Sequence, residues 1–269
     1  MSKLPWELLD HIVDLLHDNY TSLRNCCLVS KSWIPRTRRY LFAEIDLPTK
    51  KRLRWWKKTF PDPSTSPAHY TKSLVVGGPK VVTAADAGAG SWIKGFSRVV
   101  RLEIAGEEPH SHEWGVAFLP LCGFSPVVKS LHVNRVTYTL RQLITLILSF
   151  PLLEDLSMID CYHGFDEEGW ISDRLAPPTA QPSTFPTFTG SMDFLLRGGM
   201  EPIVPWLLSL PSGIHFQKLT LNWFCEEDVP LTAALMEKCF RTLEYLDITD
   251  NSHGTSTGDL SPHGNNSVF

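Results

Sequence analysis

One segment of the chain contains residue types that bind metal ions. His110-Ser111-His112-Glu113 offers two imidazoles and a carboxylate, which are ligands that zinc accepts in proteins. These two histidines, separated by one residue in a Pro-flanked loop, have no third and fourth ligand at a recognisable spacing. We therefore interpret this segment as a solvated loop and predict no metal or other cofactor.

A second segment, Cys161-Tyr162-His163, combines a thiol with a possible base, as in nucleophilic catalysis. Neighbouring side chains on a strand point to opposite faces, and His163 falls just beyond a predicted strand. We therefore expect Cys161 to be a packing residue of the strand and His163 to lie in the turn after it. The chain also lacks the Gly-x-x-x-x-Gly-Lys-Ser/Thr loop and the Gly-x-Gly-x-x-Gly turn. Its Gly-x-Ser-x-Gly match, at residues 254–258, lies in a polar, Gly-rich tail and not in the turn between a strand and a helix that a nucleophile elbow needs. These features predict a protein that is not an enzyme.

The strongest local charge lies in the run from Lys50 to Lys58, which has two tryptophans among its cations. Such a run could stack on nucleic-acid bases or act as a nuclear-import signal. Leu53, Trp56 and Phe60 also fall on one face of a helix, with the cations on the other. Because a run of charge usually marks an exposed face, we predict a solvated amphipathic helix that links two parts of the chain.

Composition limits the class of protein. The chain has 269 residues, 43% of them hydrophobic, and a formal net charge of −4. This size allows one or two domains, and this charge gives no sequence-wide positive field to attract nucleic acid or an anionic membrane. Acidic residues interrupt the N-terminal sequence and no run of about 18 apolar residues occurs, so neither a leader nor a membrane anchor is expected. The six cysteines form no Cys-x-x-Cys pair, which favours reduced thiols in the cytoplasm or nucleus.

The first 47 residues are predicted to form short helices with more apolar surface than they can bury. Pro5 suits the first turn of a helix, because it has no amide hydrogen to leave unpaired. An apolar stripe follows at helical spacing, formed by Leu8, Leu9, Ile12, Val13, Leu15 and Leu16. Thr21 or Ser22 is predicted to cap a second helix, and a third begins near Ser32. About 40 residues rarely form a sufficient core, so a partner or a following domain is expected to cover the rest.

Two motifs in this stretch, Leu4-Pro5 and Leu28-Val29-Ser30-x-x-Trp33, lie at the separation found in the F-box. The segment resembles that module, which docks a substrate receptor on the Skp-type adaptor of a cullin-RING ubiquitin ligase. The resemblance implies a set of residues that contact the adaptor or support the contact face, namely Leu4, Pro5, Leu8, Ile12, Leu28, Val29, Ser30 and Trp33. An ordinary three-helix cap on a larger domain is the alternative interpretation.

After residue 47 the chain contains a weak repeat: an apolar residue, two others, Leu, one other and an apolar residue. Most neighbouring copies lie about 25 to 29 residues apart, near the leucine-rich-repeat period. The central leucines are Leu102, Leu131, Leu156, Leu219 and Leu246, with poorer copies at Leu74 and Met192. Helical patterns occupy residues 140–150, 203–210 and 231–240. Alternating strand and helix predict an α/β solenoid with a parallel strand stack, and the alternative is an irregular α/β domain.

The layout resembles leucine-rich-repeat F-box proteins, and in segments such as 60–67 and 196–200 it resembles those that basidiomycete fungi encode in large numbers. We divide the chain into an F-box (1–47), a basic and Pro-rich connector (48–68), a leucine-rich-repeat-like domain (69–250) and a polar tail (251–269). A loop or disordered insertion is predicted near 174–191, which is rich in Pro, Thr and Ser. Nothing after Ile248 resembles the polar cap that ends a solenoid.

In such a stack, residues that flank the inward leucines face the concave side. Four of them carry carboxylates: Glu103, Asp155, Asp193 and Asp247. We predict that they form an acidic ladder that favours a basic segment of a protein partner. The alternative is an ordinary polar face.

Together these features predict a non-catalytic substrate-recognition subunit of an Skp–cullin–F-box ubiquitin ligase. Its F-box would dock the adaptor, and its repeats would bind a protein substrate. The alternative is a leucine-rich-repeat scaffold that binds partners outside a ubiquitin ligase. No nucleic acid, membrane or second copy of the chain is expected among the partners.

Overall fold

A computed structural model describes residues 5–78, 81–82, 86, 92–106, 121–124, 126–163, 185–196, 200, 203–222 and 226–249. Leu4, the segment from His110 to Glu113 and the tail at 251–269 lie outside these residues. In this part of the chain, no helix is long and apolar enough to cross a membrane.

The chain begins with three α-helices and a short 3-10 helix: α1 (Trp6–Leu15), α2 (Tyr20–Val29), the 3-10 helix Lys31–Trp33 and α3 (Ile34–Leu41). The predicted cap of α2 is wrong, because Asn19 rather than Thr21 or Ser22 fills this role. Its carboxamide oxygen accepts a hydrogen bond from the Ser22 amide at 2.9 Å. Asparagine is as good an N-cap as serine, and the residue that precedes the helical backbone takes the position.

Nine strands of the described part of the chain form one sheet, and all pairs among them are parallel. They are β1 (Glu44–Leu47), β2 (Ser73–Gly77), β3 (Arg101–Ala105), β4 (Ser130–Asn134), β5 (Thr137–Tyr138), β6 (Asp155–His163), β7 (Ser191–Leu196), β8 (Lys218–Asn222) and β9 (Tyr245–Thr249). The strands follow chain order across the sheet, and the two-residue β5 pairs with β6 beside the main path. The predicted α/β class and parallel strand stack are confirmed.

Two strands were not predicted by the repeat pattern. β1 pairs with β2, with Ile45 opposite Leu74, so the predicted boundary at residue 47 falls at the end of the first strand of the sheet. β5 is too short to carry a repeat. Both strands lack the full motif of an apolar residue, two others, Leu, one other and an apolar residue.

The central residues of the repeat lie side by side across the sheet. The register aligns Leu74, Leu102, Leu131, Leu156, Met192, Leu219 and Leu246 in one row. All are at most 1% exposed except Leu246, which is 39% exposed. The expected burial of Leu246 is therefore wrong, because β9 has a neighbouring strand on only one side among the described residues.

Among the described residues, four more α-helices accompany the sheet: α4 (Lys50–Thr59), α5 (Leu140–Leu148), α6 (Val204–Leu208) and α7 (Val229–Cys239). The last three match the predicted helical segments within a few residues. At the start of α5, Thr139 and Gln142 form a capping box, each side chain bonding the other's backbone amide. Buried side chains of α5 to α7 join those of the strands in one hydrophobic core.

The end of the predicted insertion belongs to this core. Phe188 is fully buried and packs against Phe216 with ring centroids 5.4 Å apart. Pro186 is also buried and Phe185 packs against the core, whereas the two threonines that flank Phe188 are exposed. This end of the predicted insertion is therefore anchored to the core by its apolar residues, which the Pro- and Thr-rich composition did not indicate. The earlier part of the predicted insertion lies outside the described residues.

Candidate functional site

Helix α1 carries two apolar rows, only one of which is covered. The inner row is formed by Leu9, Val13 and Leu16, which are buried or half-buried. The outer row, at i, i+4 and i+7, is formed by Leu8, Ile12 and Leu15, with exposed fractions of 50%, 37% and 71%. α1 packs against α3. The wide stripe predicted from sequence is thus split into a packing row and a row in solvent.

The end of α2 also exposes apolar side chains. Leu23 and Cys26 are buried where α2 packs against α3. Leu28 and Val29 are 85% and 69% exposed. Two adjacent apolar side chains this accessible, at the end of a helix that buries Leu23 and Cys26, are candidates for a contact surface.

The predicted adaptor residues fall into two groups. Those that a partner can reach directly are Pro5, Leu8, Ile12, Leu28 and Val29, all exposed. We call these five residues and Leu15 the docking face. Ser30 and Trp33 are half-buried, and Leu4 lies outside the described residues. Leu15 was missing from the predicted set, although its i+7 spacing from Leu8 was a signal that could have included it.

Polar bonds fix the segment between α2 and α3. The Ser30 hydroxyl accepts a hydrogen bond from the Ser32 amide at 3.3 Å and so caps the 3-10 helix. In α3, the buried Thr37 hydroxyl donates to the Trp33 carbonyl at 2.9 Å and lies 2.9 Å from the Cys27 thiol of α2. Ser30 and Trp33 therefore position the end of α2 and its exposed Leu28 and Val29.

A carboxylate clamps α1 to α3. The Asp14 oxygens accept hydrogen bonds from Arg36 Nη2 at 2.6 and 2.7 Å, and Oδ1 accepts one from the Tyr40 hydroxyl at 2.6 Å. Hydrogen bonds from Arg36 and then Tyr40 lower the pKa of Asp14. The bond to Asp14 raises the pKa of Tyr40. The clamp holds α1 in place while its outer row stays in solvent.

The predicted acidic residues lie in two different rows of the sheet. Glu103, Asp193 and Asp247 share the row that follows the central leucines. His132 and Ser157 separate the first two, and Thr220 separates the second two. The four predicted residues therefore do not form one continuous acidic ladder, because the side chains of β4, β6 and β8 in this row are not carboxylates.

Asp155 has a structural role instead. It precedes its leucine and lies in the neighbouring row, where Oδ1 accepts hydrogen bonds from the Ser191 amide at 2.6 Å and the Ser191 hydroxyl at 2.8 Å. These bonds tie β6 to β7. At Asp193, burial raises the pKa of the carboxyl group, and the positive charge of Lys218 offsets only part of this increase. Whether these carboxylates bind a substrate stays a prediction.

The thiol of Cys161, considered above as a possible nucleophile, is buried. Cys161 is 1% exposed, and burial raises the pKa of its thiol to about 12. A protonated, inaccessible thiol is a poor nucleophile. In the part of the chain that the structure describes, no three His, Cys, Asp or Glu side chains are grouped to hold a metal ion.

Compared with protein-family models and with curated proteins, the sequence matches none of them significantly.

Proposed function

We propose that this protein is a substrate receptor of an Skp–cullin–F-box ubiquitin ligase, with the docking face as its contact to the Skp-type adaptor. The observation that carries the proposal is the exposure of Leu28 at 85% and Val29 at 69%, at the positions that the F-box resemblance assigns to the adaptor. The helical module at 5–41 is the F-box in this proposal, and the sheet with its helices is a leucine-rich-repeat-like domain.

Two physical features support adaptor docking. Exposed leucine and isoleucine side chains cost free energy in water, and burial in an interface recovers about 25 cal/mol per Å² of apolar surface. The clamp of Asp14 by Arg36 and Tyr40, together with the Ser30 cap, fixes the two helices before binding. Rigid presentation reduces the entropy lost on association.

The repeat domain is the proposed substrate-binding part. One face of its sheet carries the half-buried Glu103, Asp193 and Asp247, together with the exposed cations Arg101 and Lys218. A protein segment with basic side chains matches this excess of carboxylates. Ubiquitin transfer would be performed by other subunits, so the protein itself would be non-catalytic.

The test is a pull-down of the full-length chain with purified Skp-type adaptor. The double variant Pro5→Ala/Leu28→Asp places a charge in the docking face and should lose adaptor binding. Leu152→Asp is the matched control, because Leu152 is 50% exposed and lies after α5, far along the chain from the docking face. It should bind as wild type does.

Equal binding of wild type and the double variant would contradict the F-box assignment. Cullin co-purification separates the proposal from the scaffold alternative. A ligase subunit should bring down cullin together with the adaptor. Adaptor without cullin would assign the protein to a scaffold outside a ubiquitin ligase.

A further inference from the structure

Helix α4 presents a charged side that the proposed function does not use. Its inner side is formed by Leu53 and Trp56, each 3% exposed and part of the core. Its outer side is formed by Lys51, Arg54, Trp55 and Lys58, at i, i+3, i+4 and i+7. Residues at this spacing are neighbours on one helix face, which we call the cationic face. Trp55 is 59% exposed at its centre.

The cations of this face form no ion pair with a carboxylate that the structure describes. Two other cations of α4 are paired, since Lys57 bonds Asp86 and Arg52 lies 4.0 Å from Asp46. For Lys51, Arg54 and Lys58, no carboxylate lies within ion-pair distance among the described residues. Three exposed positive charges therefore stand within about 11 Å of helix length.

The first turn of α4 carries positive side chains at the end where the helix dipole is also positive. Thr49 caps the helix by accepting a hydrogen bond from the Arg52 amide at 3.3 Å. The first turn then contains Lys50, Lys51 and Arg52 and no acidic residue, although the positive end of the helix dipole disfavours cations there. Lys50 and Lys51 therefore lie at an unfavourable position in the helix, and no ion pair with a described residue offsets this cost. Such locally unfavourable residues are typical of functional surfaces.

We propose that the cationic face binds single-stranded nucleic acid. Its cations would contact consecutive phosphates, and Trp55 would stack on a base, the combination used by proteins that bind single strands. A membrane surface fits less well, because interfacial helices insert their apolar side and that side of α4 is buried in the core. An acidic protein segment would use the cations but not the exposed indole.

This inference is independent of the proposed ligase function and compatible with a net charge of −4. That charge predicts no sequence-wide attraction to nucleic acid. A short single strand on α4 would be governed by local charges, since fields from charges beyond about 10 Å are screened at moderate salt. Affinity should therefore be modest and strongly salt-dependent.

The test is fluorescence anisotropy of a labelled oligouridine of about 12 nucleotides with the full-length chain. Three phosphate contacts predict a slope of log K against log salt of about −2. Lys51→Gln/Arg54→Gln/Lys58→Gln should abolish most of the binding and flatten this slope. Trp55→Leu should weaken binding about fivefold or more without changing the slope.

The matched control is Arg98→Gln/Lys238→Gln/Arg241→Gln, which removes the same charge from exposed residues outside α4. It should bind oligouridine as wild type does, and a circular-dichroism spectrum and urea midpoint equal to those of wild type would show that each variant is folded. Equal loss in both triple variants, no effect of Trp55→Leu, or equal binding to oligoglutamate or to anionic phosphatidylserine vesicles would overturn the proposal. Absence of oligouridine binding by wild type would do so as well.

Discussion

At the scale of single residues, neighbours on β6 have opposite environments. Leu156 is 1% exposed in the central row of the core, whereas Ser157 faces the other side of the sheet with a buried hydroxyl that has no hydrogen-bond partner among the described residues. The sequence predicted this alternation because strand side chains alternate with period two. The unpartnered hydroxyl could not be predicted, since it depends on how neighbouring strands shield the face.

Leu156→Ala should therefore lower the free energy of unfolding by about 2 to 5 kcal/mol, because it removes buried methyl groups and leaves a cavity. Ser157→Ala should be nearly neutral, because the hydroxyl makes no bond that would be lost. Urea denaturation of both variants measures the two effects. Similar losses in both would contradict the arrangement of β6.

The Asp14 clamp predicts a dependence of stability on pH. The pKa of Asp14 is lowered in the folded state, so its contribution is fully present above the unfolded pKa and is lost as pH falls through the folded pKa. The stability difference between wild type and Asp14→Asn should be largest near neutral pH and vanish in acid. Asp18→Asn is the control, since the Asp18 side chain is 87% exposed; an equal difference for that variant would count against the clamp.

At the scale of elements, the sequence predicted the strands that carry a full repeat and the three helices between them. It did not predict β1 and β5, because neither carries the motif, or the packing at Phe188, because one aromatic contact outweighed a polar composition. On α1, periodicity found the apolar residues but not which row is covered. That division depends on α3 and the Asp14 clamp.

The edge strand β9 allows a prediction about one element of the sheet. Leu246 is 39% exposed on β9, and Phe240 after α7 is 81% exposed. Leu246→Ala should cost less than about 1.5 kcal/mol, well below Leu156→Ala, because a half-exposed side chain loses less burial. Phe240→Lys should raise solubility without loss of stability. A cost for Leu246→Ala equal to that of Leu156→Ala, measured in urea, would show that β9 is covered.

At the scale of the whole molecule, the N-terminal helices expose apolar side chains, α4 exposes cations, and one face of the sheet carries half-buried carboxylates. The fold class could be predicted because the repeat places a leucine or methionine of the central row in seven strands, β2 to β4 and β6 to β9. The acidic ladder could not, because a single offset places Asp155 in another row, where it bonds Ser191.

Substrate capture should therefore be tested with Glu103→Gln/Asp193→Asn/Asp247→Asn, which leaves the Asp155 bonds intact. Proximity labelling should show loss of the substrates captured by wild type, with unchanged adaptor. The control Glu227→Gln/Glu237→Gln/Glu244→Gln removes the same charge elsewhere. Identical substrate sets from wild type and the sheet-face variant would remove this face from recognition.

The central claim is that the docking face binds the adaptor, and calorimetric titration of purified Skp-type adaptor into the full-length chain tests it most directly. Leu28→Ala should raise Kd about 30-fold or more, equivalent to about 2 kcal/mol for an interface anchor, and should leave stability unchanged because Leu28 is 85% exposed. Leu152→Ala should leave Kd unchanged. No heat of binding with wild type, or the same Kd for wild type and Leu28→Ala, would contradict the account.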